Sequence, residues 1–361
     1  MTTDTPISSQ RPEPSRRRNG ARTLTAPVEA VIGALVCVFV CALAGLPVLS
    51  SCSRTSPSPN SNSSPGSTDT GSTPAPHQVD APRIAALAPA LAVIARDLGL
   101  GPALCARHAY DAWSDPALPT GGDQSGIDYD ALIRARPTHV LLQWGRRDLP
   151  EPLTRLAKAN RWMIASFSLE TLDDVERTIT RFAELFPQAA PAAERALDDF
   201  RRRTGPPPGH APLAAHTSPL RVLLLHSVNP TAAFGPGSYH HQLLQRLGGT
   251  PAITRGSLFM PMLAEDVLRL QPDAIILIQP RPPGAAPASD APHDLIERFG
   301  PIGRLRIPAV QAGRLALIDD PLALVPGTNL ADLAQAMDAH LRRWLHAHAS
   351  PADESPAPRR P

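Results

Sequence analysis

Residues 220–249, LRVLLLHSVNPTAAFGPGSYHHQLLQRLGG, decide the fold. Leu220, Val222, Leu223, Leu224 and Leu225 are apolar without alternation, the pattern of a strand covered on both faces. A polar stretch broken by Pro and Gly predicts a loop over His226–Gly237. Ser238 is placed to cap a helix in which Leu243, Leu244 and Leu247 recur at helical spacing, and Gly248-Gly249 ends it. Strand, loop and helix in that order form half of a parallel βαβ unit. Ligands in such sheets sit beyond the carboxyl ends of the strands, so the loop from His226 to Tyr239 is expected to face the site. The Gly-Pro-Gly-Ser turn invites a phosphate-loop reading, because free helix N–H groups attract anions. It lacks the G-x-x-x-x-G-K-[ST] spacing, and Lys158 is the only lysine in the chain, so nucleotide binding is set aside.

The chain has 361 residues, 42% of them apolar, enough for two domains with a sizeable core. Its 43 prolines far exceed the usual share and gather at the termini and linkers. A net charge of +2 and an aromatic content of 4% give neither the basic field nor the stacking platform that nucleic acid requires.

Arg16, Arg17, Arg18 and Arg22 precede an apolar run from Ala30 to Leu49, which ends in Leu49-Ser50-Ser51-Cys52. That tetrapeptide resembles a bacterial lipobox, in which the cysteine is acylated and becomes the new N-terminus. The run is also long enough to span a bilayer, so an uncleaved anchor with its arginines held in the cytoplasm stands as the alternative. Either way the body of the protein is expected outside the cytoplasm. The Ser/Pro/Gly/Thr stretch 53–82 reads as a flexible tether. Cys37 and Cys41 lie in the apolar run, which leaves Cys105 alone in the folded part, where it forms no intramolecular disulfide and reads as a small buried hydrophobe.

The folded part divides into a lobe over 83–168, a helical segment over 169–203, a Pro-rich linker over 204–219 and a lobe over 220–348, with a disordered tail over 349–361. In the first lobe, strands are expected at Ile84–Leu87, Leu104–Arg107, Val140–Leu142 and Trp162–Ala165. Gly121-Gly122 reads as a loop. Thr171 caps a helix carrying Leu172, Val175, Ile179, Phe182 and Leu185 on one face, broken near Phe186-Pro187. In the second lobe, further strands are expected near Ala252–Ile253, at Ala274–Ile278 and at Leu315–Ile318, a Pro-rich loop over Arg281–Pro292, and a terminal helix over Leu330–His346.

The halves echo each other. Asp130-Ala-Leu-Ile-Arg-Ala-Arg-Pro137 and the strand after it parallel Glu265-Asp-Val-Leu-Arg-Leu-Gln-Pro272 and its strand, at a constant offset of 135 residues. Two copies of one α/β unit imply two lobes facing a shared cleft.

Four blocks in order, RIAALAPALAVIARDLGLG, GG…DYDALIRARPTHVLL, FGPGSYHHQLLQRLGG and LAEDVLRLQPDAIIL, resemble the iron-siderophore, cobalamin and haem substrate-binding proteins of ABC importers. The resemblance spans about Arg83 to Trp344. It implies an α/β fold of two Rossmann-like lobes with parallel-type sheets, joined by a long rigid helix, with the solute held in the cleft between them. It also implies one acid per lobe docking on arginines of a permease dimer. Those positions fall on Asp130, where the family usually has the longer Glu, and on Glu265. Carboxylates at helix starts are also favoured by the helix dipole alone, so a purely local role is the competing account.

Residues at the strand ends offer ligand contacts: His108, Tyr110, Trp113, Trp144, Arg146, Arg147, His226, Tyr239, His240, His241, Phe259 and Arg281. Arginines suit carboxylate- or catecholate-rich siderophores, aromatics the flat face of a corrinoid or haem, and histidines a chelated metal. His240 and His241 are adjacent on a helix, so at least one is expected to be a solvated surface histidine. Trp113 and Trp144 suit the domain core as readily as the cleft, and Arg146-Arg147 a solvated face. No Cys-x-x-Cys or His-Glu-x-x-His spacing marks a zinc site. A hydrolase built from His226, Ser227 and Asp319 or Asp320 lacks the G-x-S-x-G elbow. The expectation is therefore a monomeric, non-enzymatic solute-binding lipoprotein without a covalent cofactor, partnered by a permease dimer and a ferric siderophore, cobalamin or haem. A surface-tethered sensor or scavenger without a transporter is the alternative.

Overall fold

In the first lobe β1 (Ile84–Ala86) lies at the centre of a five-stranded parallel sheet. Its order is β3 (Thr120–Gly122), β2 (Leu104–His108), β1, β4 (His139–Leu142) and β5 (Met163–Ser166). Three helices connect the strands: α1 (Pro89–Asp97), α2 (Tyr129–Ala135) and α3 (Glu151–Asn160). Pro89 opens α1, where its missing N–H costs nothing. The Gly121-Gly122 pair, expected as a loop, is instead β3. A Cβ on Gly121 would stand 2.7 Å from Leu87 Cδ2, so this edge strand needs glycine for closeness rather than for a turn.

The structure, a computed structural model, describes residues 81–206 and 220–349. The export segment with Cys52, nearly all of the tether, most of the Pro-rich linker and the tail beyond 349 fall outside the described residues. Among the described residues no helix is long and apolar enough to cross a membrane.

The bridge is helical and breaks at Phe186-Pro187, as the sequence predicts. α4 (Leu172–Leu185) and α5 (Ala190–Thr204) pack side by side, and Arg201 near the end of α5 reaches Glu176 near the start of α4 at 2.7 Å. The 15 residues of α5 span ~22 Å. Thr171 caps α4 in a reciprocal box: its hydroxyl accepts from Asp174 N at 3.1 Å, while Asp174 Oδ2 accepts from Thr171 N at 3.0 Å. Thr171→Ala is expected to cost about 1 kcal/mol, read as a lowered urea midpoint with an unchanged m-value.

The second lobe is built on β6 (Arg221–Val228), flanked by β10 (Ala274–Ile278) and then β11 (Leu315–Ile318), all parallel. On its other side β6 pairs twice. Its start takes the parallel β8 (Thr250–Pro251), and its end takes the antiparallel β7 (Thr231–Phe234), which pairs onward with β9 (Phe259–Pro261). The expected loop over His226–Gly237 is thus largely a β-hairpin turning at Asn229-Pro230. Short polar and small side chains hide its strand character in the sequence. The helices are α6 (Tyr239–Arg246), α7 (Ala264–Leu270), α8 (Pro292–Arg298), α9 (Pro308–Gln311) and α10 (Leu330–Ala349). Ser238 caps α6 by accepting from His241 N, as expected. The short α8 and α9 leave little trace in the sequence, because each begins at a proline in a segment without helical periodicity.

Burial explains the unbroken apolar strands. Val222 and Leu224 of β6, with Ile276 of β10, enter one cluster, while Leu223, Leu225, Ile275 and Leu277 enter another on the opposite face. Lobe one divides in the same way, with Ile84 and Leu141 on one face and Ala85, Val140 and Leu142 on the other. The first cluster is common to both lobes and takes in α1, α4, α5, α6 and α10. Polar ties reinforce this shared layer. Leu172 N donates to Gln242 Oε1 at 2.9 Å, Arg246 pairs with Glu176 at 3.0 Å, and the Thr328 hydroxyl donates to Asp97.

Candidate ligand-binding site

The carboxyl ends of the central strands bring some of the predicted residues together and separate others. The densest group lies in lobe two. His226, near the end of β6, is 8% exposed and sits edge-on to Phe259 at 5.0 Å and Phe234 at 5.6 Å between ring centroids. Among the described residues neither of its ring nitrogens has a hydrogen-bond partner. Burial pushes its pKa down, so the imidazole is neutral at physiological pH and both the lone pair and the N–H are uncommitted.

Beside it, His240 stacks on Phe234 at 3.7 Å and lies 4.1 Å from the Tyr239 ring. His240 is 1% exposed and its Nε2 is 3.1 Å from Ala323 O. Burial lowers its pKa to about 3, with His226 adding to the effect against the bond to Ala323. His241 is buried too, with Nε2 3.1 Å from Ile253 O. The expectation that one of this pair is a solvated surface histidine is therefore overturned. Backbone carbonyls from distant loops receive both rings, and His240 is enclosed against Phe234 and Tyr239. Tyr239 is half-buried and donates its hydroxyl to Leu324 O at 2.8 Å.

In lobe one, His108 ends β2 and is 8% exposed. Its Nδ1 accepts from Tyr110 N at 3.2 Å, and the two rings lie 5.4 Å apart. Burial lowers its pKa against the opposing pull of Asp123 and Asp111. Tyr110 is exposed. Asp111, which the sequence reading does not single out, is 1% exposed and organises this loop. Its carboxylate accepts from the backbone N–H groups of Trp113 and Ser114, each at 3.1 Å, and from the Ser114 hydroxyl. An Asp followed two and three residues later by such donors is a legible Asx signal. Trp113 is half-buried, with its carbonyl taken by Arg96.

Other candidates are committed locally. Trp144 is half-buried against the outer core of lobe one; its indole donates to Asp148 O at 3.0 Å and the Arg147 guanidinium lies 4.4 Å from its ring centroid. Arg146 is exposed. Arg281 is held by Asp319 at 2.9 Å. The imagined hydrolytic set does not assemble: the Ser227 hydroxyl donates to Pro230 O at 2.6 Å, and Asp319 serves Arg281 and Ala288 N. A separate recess of about 630 Å³ runs along α4, but its lining shares no residue with the predicted set. Its arginines are paired internally, Arg177 with Asp174, Arg181 with Glu184 and Arg201 with Glu176.

Asp130 and Glu265 both stand exposed in the first turns of α2 and α7. Each helix precedes a parallel strand next to the central one, so both acids lie toward the carboxyl edges of their sheets.

Comparison with solved structures places this architecture. A periplasmic haem-binding protein in complex with two haems superposes with a TM-score of 0.57 at 20% identity, covering 73% of this chain and 99% of the other. The fold is that of a bilobal solute-binding protein. A periplasmic vitamin B12-binding protein of Vibrio cholerae gives a TM-score of 0.55 at 20% identity, over 73% of this chain and 97% of the other. An ABC transporter substrate-binding protein of Listeria monocytogenes gives 0.54 at 16% identity, over 73% and 99%. No protein-family model and no curated protein matches the chain. The likeness to periplasmic haem-, B12- and iron-binding proteins agrees with the resemblance read from the sequence.

Proposed function

We propose that the chain is an extracytoplasmic solute-binding lipoprotein, acylated at Cys52, that captures a metal chelate or tetrapyrrole between its lobes and delivers it to an ABC permease dimer. The observation that carries the solute class is His226. A neutral imidazole with two uncommitted nitrogens, both shielded from solvent by the cage of Phe234 and Phe259, suits a metal whose remaining donors arrive with the solute once the aromatic cage gives way to it. The same aromatic cage suits the flat face of a haem or corrinoid. In lobe one His108, Tyr110, Trp113 and Arg146 are the facing contacts, while Trp144 stays packed against its own lobe. In lobe two Tyr239 and Phe259 complete the set, His240 supports it from behind, and Arg281 is held back by its pairing with Asp319. The fold supports binding rather than catalysis, because its structural neighbours are binding proteins.

Haemin, cyanocobalamin and a ferric catecholate siderophore are all coloured, so each can be titrated onto the purified protein by absorbance. One of them is expected to bind, and His226→Leu should weaken it about tenfold and move the metal-sensitive bands. If none binds, or if His226→Leu changes neither affinity nor spectrum, this solute assignment is wrong. Cys52→Ala should leave an unprocessed precursor without acyl label. A wild-type N-terminus at Met1 would favour the uncleaved anchor instead.

A further inference from the structure

The repeat that relates the lobes carries more than its two acids. On α2 the positions i, i+3 and i+4 are Asp130, Ile133 and Arg134; on α7 they are Glu265, Leu268 and Arg269. All six are exposed, while Ala131, Leu132 and Ala135 on one helix and Val267 on the other face the core. Positions spaced in this way share one helix face. Ile133 is 43% exposed and Leu268 is 41% exposed, so at both places a large apolar side chain stands in water one turn beyond a carboxylate. Both helices end alike as well, with Arg136 at φ 45° and Gln271 at φ 47° ahead of Pro137 and Pro272. The faces are therefore matched in backbone as well as in composition, at the same offset of 135 residues.

An isolated exposed Ile or Leu needs no explanation. Two at equivalent positions of two equivalent units, each flanked by an acid and an arginine, do. A surface that repeats within one chain fits a partner that is itself two-fold, because each half of the partner then meets the same pattern. The acid calls for a cation on that partner, and the apolar side chain for a dry pocket beside the cation.

We propose that the α2 and α7 faces form one bipartite docking surface in which Ile133 and Leu268 are apolar anchors, each entering the same pocket on one half of the two-fold permease. The proposal rests on the importer reading given above. The acids orient the encounter through water; the anchors, once desolvated, hold the complex and set its lifetime. Arg134 and Arg269 border the anchors, Arg269 paired with Asp266 at 3.0 Å on its own helix.

The test is binding of the full-length protein to the cognate permease dimer in nanodiscs, at two salt concentrations. Ile133→Ser and Leu268→Ser should each weaken binding about five- to tenfold, mainly through faster dissociation, and the double variant about fiftyfold, without changing the salt dependence. The acid swap Asp130→Arg with Glu265→Arg should instead act on association and on its salt dependence. If the serine double variant binds like wild type while the acid swap abolishes binding, the anchors are refuted and the importer reading stands. If wild type does not bind the permease, both fall. Sedimentation of wild type alone decides against a second copy of this chain as the occupant: a dimer lost in the serine double variant would overturn the proposal.

Discussion

Asp130→Arg combined with Glu265→Arg is expected to lower solute uptake by about a hundredfold or more, while solute affinity on the isolated protein stays within about threefold. Both acids are exposed on first turns, and the packing of each helix rests on the opposite, buried face, so the fold does not depend on them. On the docking reading proposed above, in which each acid meets a cation of the permease, reversing both charges turns two attractions into two repulsions. Attractive pairs at such exposed positions hold little on their own, whereas like charges forced together during docking cost much more. The defect should ease as ionic strength rises, because exposed charges are screened over about 8 Å at physiological salt. Uptake in whole cells, paired with titration of the purified variant, separates the two arms. An equal loss of solute binding would place these acids in the cleft or the fold rather than on a permease face.

Acid should destabilise this protein well before its carboxylates titrate, and His240 is the reason. Its folded pKa is lowered to about 3 from 6.5, chiefly by burial. A histidine depressed in this way contributes stability that is complete above 6.5 and is lost as pH falls towards 3, since the unfolded chain takes up a proton that the folded chain refuses. Each pH unit in that window costs about 1.4 kcal/mol, or about 2 kcal/mol at pH 5. His226 and His108, also lowered by burial, act in the same direction. Urea midpoints between about pH 7.5 and 4.5 should fall steeply for wild type. In His240→Phe, which keeps a ring against Phe234, the slope should drop by about 1.4 kcal/mol per pH unit whatever happens to the absolute stability. An unchanged slope would mean that this imidazole takes up its proton in place.

Where the chain's signals are local, they are legible. The apolar runs Val222–Leu225 of β6 and Ala274–Ile278 of β10 announce strands covered on both faces, because consecutive side chains point to opposite faces and both are buried. Thr171 and Ser238 announce helix starts, because a cap acts within three residues. The 135-residue repeat announces two lobes of one plan, and with them the positions of Asp130 and Glu265.

The remaining features depend on contacts between residues far apart in the chain. Thr231–Phe234 has little strand character of its own and is a strand because β6 and β9 hydrogen-bond to it on both sides. His240 and His241 look like surface residues in a short amphipathic helix. They are buried because the carbonyls of Ala323 and Ile253, 83 and 12 residues away, receive their rings. Arg281 reads as a free cation in a Pro-rich loop until Asp319 arrives from the end of β11. Phe234 gains its place against His226 only when the hairpin folds back. Sequence alone determined the period of each element, its caps and the repeat, since these are properties of neighbouring residues. Tertiary structure decided which polar side chains are spent inside the fold, which stay exposed like those of Asp130 and Glu265, and which, like that of His226, are buried without a hydrogen bond, since burial and hydrogen-bond satisfaction depend on chain segments that meet only in three dimensions.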